Sequence, residues 1–493
     1  MIPRPIPRTL AIPITTALEE AGPAGASGVT LPTPRVHWRA DTYTGTSPTM
    51  TLTDLSGNGH DCLQIAGTAT PGTGGLNSTE KITMSSARFE SSQTAYDARP
   101  ATIFAVWTRT GSGATTGFYG AAGASSINSL WFGFESVNRL NTYSGDGGSQ
   151  GTGALNTLAD GFTNPSIFIG HVGYEGISHG FNGEFQGVVG NSKGQTPSIQ
   201  AALGTDYRTA NGDFYEIRVY DRRLTQDEED AVLDELSTRY GMTVDKWSDL
   251  TAVPTLVQVG DSVSNGRALN TGLDAEYTGD ITGCSVWNGT AFATLNASAT
   301  NNNQLGESAS AKHGPEVALC KEYLDTHGGS CYLLKWGTSS RTAADQNNSN
   351  TLYPDSQFVG ATHALAELEF LQATAAAVAA GNRFDTKLIL FCLGSNDAFL
   401  SEPAVDAFQA NMDRIKAAWK GICMAHSTNY ALLEMSDAAT DTWDLQAEGV
   451  AWAAANSDVT LIEGDFGTDD SLHPNVAGNV TVGTTAAGIA GAP

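Results

Sequence analysis

From residue 255 to the C-terminus, short apolar runs alternate with longer helix-like stretches, and this alternation constrains the fold more than any other feature. Strands are expected at 255–260, 331–336, 387–393, 429–434 and 458–462, and helices near 314–326, 362–380, 402–422 and 444–456. Such alternation predicts a parallel sheet with both faces covered, because each crossover lays a helix over the sheet. In open sheets of this kind a ligand site lies beyond the carboxyl ends of the strands. Three polar segments fall at those ends. Thr255-Leu-Val-Gln-Val-Gly-Asp-Ser262 reads as a buried strand with a sharp Gly260-Asp261-Ser262 exit. A Gly394-Ser-Asn-Asp397 turn follows a second apolar strand, and Asp470-Ser-Leu-His473 lies near the C-terminus.

A chain of 493 residues is too long for one ordinary core, so at least two domains are expected. Residues 1–34 read as an extended arm, with prolines at 3, 5, 7, 13, 23, 32 and 34. Residues 35–244 are β-rich: short alternating runs at 101–108, 130–134, 166–172 and 214–219 are separated by Gly, Asn, Ser and Asp turns, the pattern of a sandwich. That region ends in a helix announced by a capping box, Thr225 with Glu228, with Val232, Leu233 and Leu236 on one face and Gly241 as its stop. Residues 245–254 form a linker, and 255–493 the α/β domain.

The formal charge of −26, from 26 basic and 52 acidic residues, argues against nucleic acid or an anionic membrane surface as partner. No apolar run reaches the roughly 18 residues of a membrane span. The N-terminus lacks the continuous apolar stretch of a secretory signal. Cysteines 62, 284, 320, 331, 392 and 423 show no Cys-x-x-Cys pair and no metal-ligand spacing. Cys284–Cys320 and Cys320–Cys331 are the disulfides the sequence leaves open.

A serine hydroxyl is a poor nucleophile at neutral pH and needs an adjacent base, usually a histidine held by a carboxylate. His473 is preferred among the nine histidines because Asp470 sits one turn before it and Pro474 follows. The expected triad is therefore Ser262, His473 and Asp470. Acyl transfer also needs donors for the developing oxyanion. The backbone N–H groups of Ser262 and Gly337 and the side-chain amide of Asn396 are the candidates, all at expected strand ends. Asn265, Arg267, Arg341 and Asp397 follow these groups in sequence and are the expected substrate readers. A positive side chain there would suit an acidic sugar.

Two resemblances sharpen these expectations. The motifs Leu55-Ser-Gly-Asn-Gly-His60-Asp and Gly212-Asp-Phe-Tyr-Glu-Ile-Arg-Val-Tyr-Asp-Arg-Arg-Leu-Thr-Gln-Asp-Glu228 make the first half similar to LamG-like, concanavalin A-like jelly rolls. That resemblance implies glycan binding or a spacer role. It leaves open a calcium site, for which Asp54, Asn58 and Asp61 offer oxygens. The second half resembles the SGNH (GDSL-like) hydrolases over roughly 255–490, which implies a flavodoxin-like three-layer α/β fold. It also implies Ser262 as nucleophile, Gly337 and Asn396 in the oxyanion hole, Asp470 and His473 completing the triad, and no metal or organic cofactor. Gly314-Pro-Glu-Val317 and Lys335-Trp-Gly-Thr338 resemble the carbohydrate-acetylesterase branch, notably sialate O-acetylesterases. Val263 replaces the leucine usual after the serine, a harmless change, whereas Gly394-Ser-Asn-Asp397 departs from the Gly-Glu-Ser-Asp turn common in the sialate branch, which loosens the substrate rather than the chemistry.

Arm, sandwich and esterase together resemble phage tail-fibre and tailspike proteins. That resemblance implies a virion or extracellular location, an acetylated glycan substrate, docking of the arm on other tail proteins and a homo-oligomer. The rival expectations are a glycan-binding virion protein with an inactive hydrolase fold, and a secreted lipase or thioesterase.

Overall fold

The computed structural model describes residues 29–91, 100–108, 116–121, 129–136, 139–145, 164–173, 176–190, 201–204, 209–297, 312–337, 342–344, 361–399, 401–425, 428–434, 441, 443–468 and 472–491. Of the arm expected at 1–34, residues 1–28 therefore lie outside the described residues. The chain is multidomain and β-rich, with several sheets and eight α-helices among the described residues.

The first half forms one continuous antiparallel sheet of 13 strands rather than two separately hydrogen-bonded sheets. It curls because strand Ala210–Tyr220 pairs with three partners: Val36–Thr44, Ala101–Thr108 and Lys81–Ser91. The curl encloses a core of Trp38, Phe89, Trp107, Phe118, Phe168 and Ile217, all buried. Strand periodicity decides which residues enter it. Ile103, Ala105 and Trp107 face this core, whereas Phe104 and Val106 face outward and are covered by helix Gln226–Tyr240.

That helix starts where its sequence says. The Thr225 hydroxyl accepts from Glu228 N–H at 3.3 Å, and Glu228 accepts from Thr225 N–H at 2.9 Å. Gly241, at φ 63°, closes it in the left-handed region that glycine favours. Val232, Leu233 and Leu236 are all buried against the sheet.

The second half carries a seven-stranded sheet in the order 292–296, 280–287, 331–337, 251–260, 382–392, 429–433, 459–462. Only Phe292–Asn296 runs antiparallel. Alternate residues build two cores on opposite faces. Leu256, Leu388, Leu390, Ala431 and Leu433 pack with Val317, Leu319, Val482 and Ala486 from helices Glu316–His327 and Val476–Ala490. Val257, Val259, Ile389, Phe391 and Leu432 pack with Phe370, Trp419 and Trp452 from helices Ala361–Ala379, Phe408–Ile422 and Leu445–Ala455. The sheet is thus covered on both faces, with Thr251–Gly260 at its centre.

Four elements of the α/β half differ from expectation. The helix expected over 402–422 is divided into Glu402–Asp406 and Phe408–Ile422. Strands Asp280–Trp287 and Phe292–Asn296 and helix Val476–Ala490 add to the set read from the sequence. The halves meet through polar groups: Arg383 donates to Gln226 at 2.9 Å, and Arg223 lies 3.4 Å from Glu367 with both side chains buried.

Candidate active site

The central strand ends at Gly260, where it lies between Gly337 on one side and Cys392 on the other. Gly260 has φ 155°, and a Cβ there would stand 2.0 Å from the Cys392 carbonyl oxygen. Only a residue without a side chain permits that approach. Asp261 follows, donating its N–H to the same carbonyl at 3.0 Å. The chain then enters the one-turn helix Ser262–Asn265, capped by the Asp261 carboxylate accepting from Val263 N–H at 2.8 Å.

The other Asp261 oxygen accepts from the Asn396 amide at 2.9 Å. One carboxylate therefore shapes the Ser262 turn and orients the Asn396 side chain. An amide nitrogen carries two N–H groups, so this bond leaves Asn396 a second one to donate. Asp261 is fully buried, and desolvation pushes its pKa up to about 7, against the bonds from Val263 and Asn396 and the charge of Arg267.

Ser262 Oγ lies 2.7 Å from His473 Nε2, across 211 residues of sequence. His473 is held in a tight return. Thr468 and Pro474 form an isolated antiparallel bridge, Asn475 N–H donates to Gly467 O at 2.9 Å, and the Asn475 side chain caps helix Val476–Ala490. Serine and imidazole are thus presented by two helix starts at the same edge of the sheet. Asp470 lies outside the described residues, as does Arg341.

Gly337 ends its strand packed on the Ser262–Asn265 turn. A Cβ there would meet Asn265 N at 2.6 Å and Ser264 Cβ at 2.8 Å, so a side chain would push that turn away. Three further contacts fix the turn from below. Gln258 Nε2 donates to Ser264 O at 2.9 Å, Ser264 Oγ donates to Trp336 O at 3.0 Å, and Lys335 Nζ donates to Asn265 O at 3.1 Å. Lys335 is paired with Glu316 at 3.1 Å, both fully buried, and Glu316 accepts from Gly314 N–H at 3.0 Å. Sequence reading passed over this pair. A lysine within Cys331-Tyr-Leu-Leu-Lys-Trp-Gly337 was its signal, since a buried ammonium demands a partner.

The residues expected to read substrate are placed differently. Asp397 is fully buried and accepts from Ala343 N–H at 2.9 Å and Ala344 N–H at 2.8 Å. It ties the segment after Gly337 to the Asn396 turn instead of facing solvent; burial pushes its pKa up to about 7. Asn265 is the buried last residue of the turn, and Arg267 is half-buried with its charge acting on Asp261. In the first half, the Asp54 carboxylate accepts from His37 N–H, Ser56 N–H, Ser56 O–H and His60 N–H, while Asp61 accepts from Asp54 N–H. Asn58 donates to the Arg35 carbonyl. These groups serve the turn, the reading that turn chemistry supplies without a cation.

A cavity of about 10 Å³, room for one water, lies among residues that neighbour Ser262 and His473 in sequence. Its lining includes Val263, next to Ser262, and Leu472, next to His473, with Leu393, Leu433, Phe466 and Glu434.

No protein-family model matches the chain, and no curated protein does. Among solved structures, a protein of Arabidopsis thaliana is 13% identical, with 48% of this chain and 97% of that chain covered, at a TM-score of 0.39. Est24, a carbohydrate acetylesterase from Sinorhizobium meliloti, is 14% identical over 48% of this chain and 97% of its own, at 0.27. Domain 4 of AbnA, a GH43 extracellular arabinanase from Geobacillus stearothermophilus, is 13% identical over 38% and 92%, at 0.29. Likeness this distant carries no functional weight, so the reading rests on the geometry of the site.

The raised Asp261 pKa makes a stability prediction. The folded state holds the Asp261 proton up to about pH 7, whereas the unfolded chain releases it near 3.8. Between those values the folded state binds more protons, so this group's contribution to stability falls as pH rises and is level above about 7. Asp261→Asn lacks that slope. Urea midpoints measured across the window should show the variant gaining on wild type from low to neutral pH; a constant difference would contradict the assignment.

Proposed function

We propose that this protein is a serine esterase that removes O-acetyl groups from a carbohydrate. The observation that carries the proposal is the 2.7 Å contact between Ser262 Oγ and His473 Nε2 at the carboxyl edge of a parallel sheet. In this reading His473 Nε2 takes the Ser262 proton as Oγ attacks the acetyl carbonyl carbon. The backbone N–H groups of Ser262 and Gly337 and the amide of Asn396 receive the negative oxygen. Collapse breaks the bond to the sugar oxygen, which leaves with the proton held by His473. Water then attacks the acetyl-serine, again giving its proton to His473, and acetate departs as Ser262 Oγ regains a proton. Asp470 is assigned the task of holding Nδ1 of His473.

The choice of an acetyl group rests on the resemblance of Gly314-Pro-Glu-Val317 and Lys335-Trp-Gly-Thr338 to the carbohydrate-acetylesterase branch, with a lipase or thioesterase as the alternative. The polysaccharide setting rests on the resemblance of the first half to glycan-binding jelly rolls. There, a bound polymer would raise the local substrate concentration at Ser262. The order of arm, sandwich and hydrolase supports a virion-associated role on a host-surface polysaccharide. Arg267 and Arg341 remain the proposed contacts for an acidic sugar.

Acetate release from a panel of O-acetylated glycans tests the chemistry. Wild type should release acetate, and Ser262→Ala should lower kcat by about 10⁶-fold, the scale for a lost serine nucleophile. Equal release by both proteins would remove the mechanism, and glycan binding with no release by wild type would favour the inactive-fold alternative. The virion assignment predicts that the protein is retained in purified phage particles after high-salt washing; its absence from them would leave a free secreted esterase.

A further inference from the structure

The three thiols of Cys284, Cys320 and Cys331 converge, although no sequence spacing announced them. Each stands on a different element: strand Asp280–Trp287, helix Glu316–His327 and strand Cys331–Gly337. Cys284 and Cys331 are direct partners in the parallel register, and Cys320 reaches them from the helix packed on that face. All three sulfur atoms lie within 4.8 Å of one another. All are free thiols, so neither disulfide left open by the sequence is formed. Cys62 and Cys423 belong to other cores.

We propose that this trio is a metal site, taking one soft thiophilic divalent ion in three-coordinate thiolate ligation. Soft sulfur ligands select soft ions. Zinc in a closed structural site takes four ligands, and among the described residues no histidine or carboxylate joins the group. A d¹⁰ ion content with three sulfurs fits better, and cadmium is the natural probe. Binding exchanges three S–H protons for the ion, with the protons released to solvent and no change of oxidation state. Three thiolates and a divalent ion leave one net negative charge in the core. A monovalent ion would leave two, which burial disfavours more strongly.

Gly328, Gly329 and Ser330, immediately before Cys331, are exposed, and the two glycines have φ of 68° and 75°. A hypothetical Cβ on either would meet nothing within 4 Å, so this turn has open space around it. The trio sits at the opposite end of strand Cys331–Gly337 from Gly337 itself, a span of roughly 20 Å at the usual rise per residue. An ion there would clasp two strands and a helix without touching Ser262. It acts as a staple for the fold, and its test is independent of the esterase reading.

The reduced full chain should be titrated with cadmium chloride under anaerobic conditions, and also produced with cadmium in the culture to bypass slow entry. A sulfur-to-cadmium charge-transfer absorbance saturating at one equivalent is expected, with a rise in thermal midpoint because the ion binds only the folded state. Cys320→Ser and Cys284→Ser should each lose both signals while keeping wild-type circular dichroism; Cys423→Ser, an isolated buried thiol, should keep them. A missing band in wild type by both routes would overturn the site. So would a one-equivalent band that survives in whichever of the two trio variants folds.

Discussion

The edge of the sheet that brings Ser262 to His473 depends on one buried carboxylate. Asp261 stands at the end of the central strand with one oxygen on Val263 N–H and the other on the Asn396 amide. The first bond starts the helical turn that carries Ser262; the second fixes the side chain assigned to the oxyanion. Burial opposes the charge that both bonds prefer, which is why the group titrates near pH 7. The strand above it tolerates no side chain at Gly260, because Cys392 O already occupies that space. Backbone crowding and a desolvated carboxylate thus hold Ser262 where His473 meets it.

Beneath this edge the sheet breaks its own apolar rule. Gln258, Ser264, Lys335 and Glu316 form a connected polar layer in a setting otherwise built of leucine, valine and aromatic residues. Burying an ion pair there is costly and contributes little net stability. What it supplies is position: the Asn265 carbonyl, at the end of the Ser262 turn, is held by a charged donor. Asp397 does the same for Ala343 and Ala344. Local rules tend to be broken where function needs a fixed geometry.

Much of the α/β half was legible because its strands are continuous apolar runs and its helices have good propensity. The expected strands at 255–260, 331–336 and 429–434 lie within a residue or a few of the observed Thr251–Gly260, Cys331–Gly337 and Asn429–Leu433. Helix Val476–Ala490 was not legible, since three glycines and several β-branched residues argue locally against it. Tertiary packing decides it: a Cβ at Gly483 would come within 2.5 Å of Pro315 O, so the missing side chain is what lets two helices touch. Of the site, residue types could name Ser262, His473 and Asn396 but not their surroundings. Asp397 looked like a substrate contact because it follows Asn396; only the fold turns it toward the Ala343 and Ala344 amides. The cysteine trio was invisible for the same reason, as its members come from three elements.

The central claim is that Ser262 is a nucleophile activated by His473. A fluorophosphonate probe reacts irreversibly with a serine only where a base and an oxyanion site are already assembled. Intact mass and peptide mapping of the treated protein should show a single adduct, on Ser262, that is absent from Ser262→Ala. An unlabelled folded protein, or an adduct on another residue with Ser262 untouched, would contradict this account.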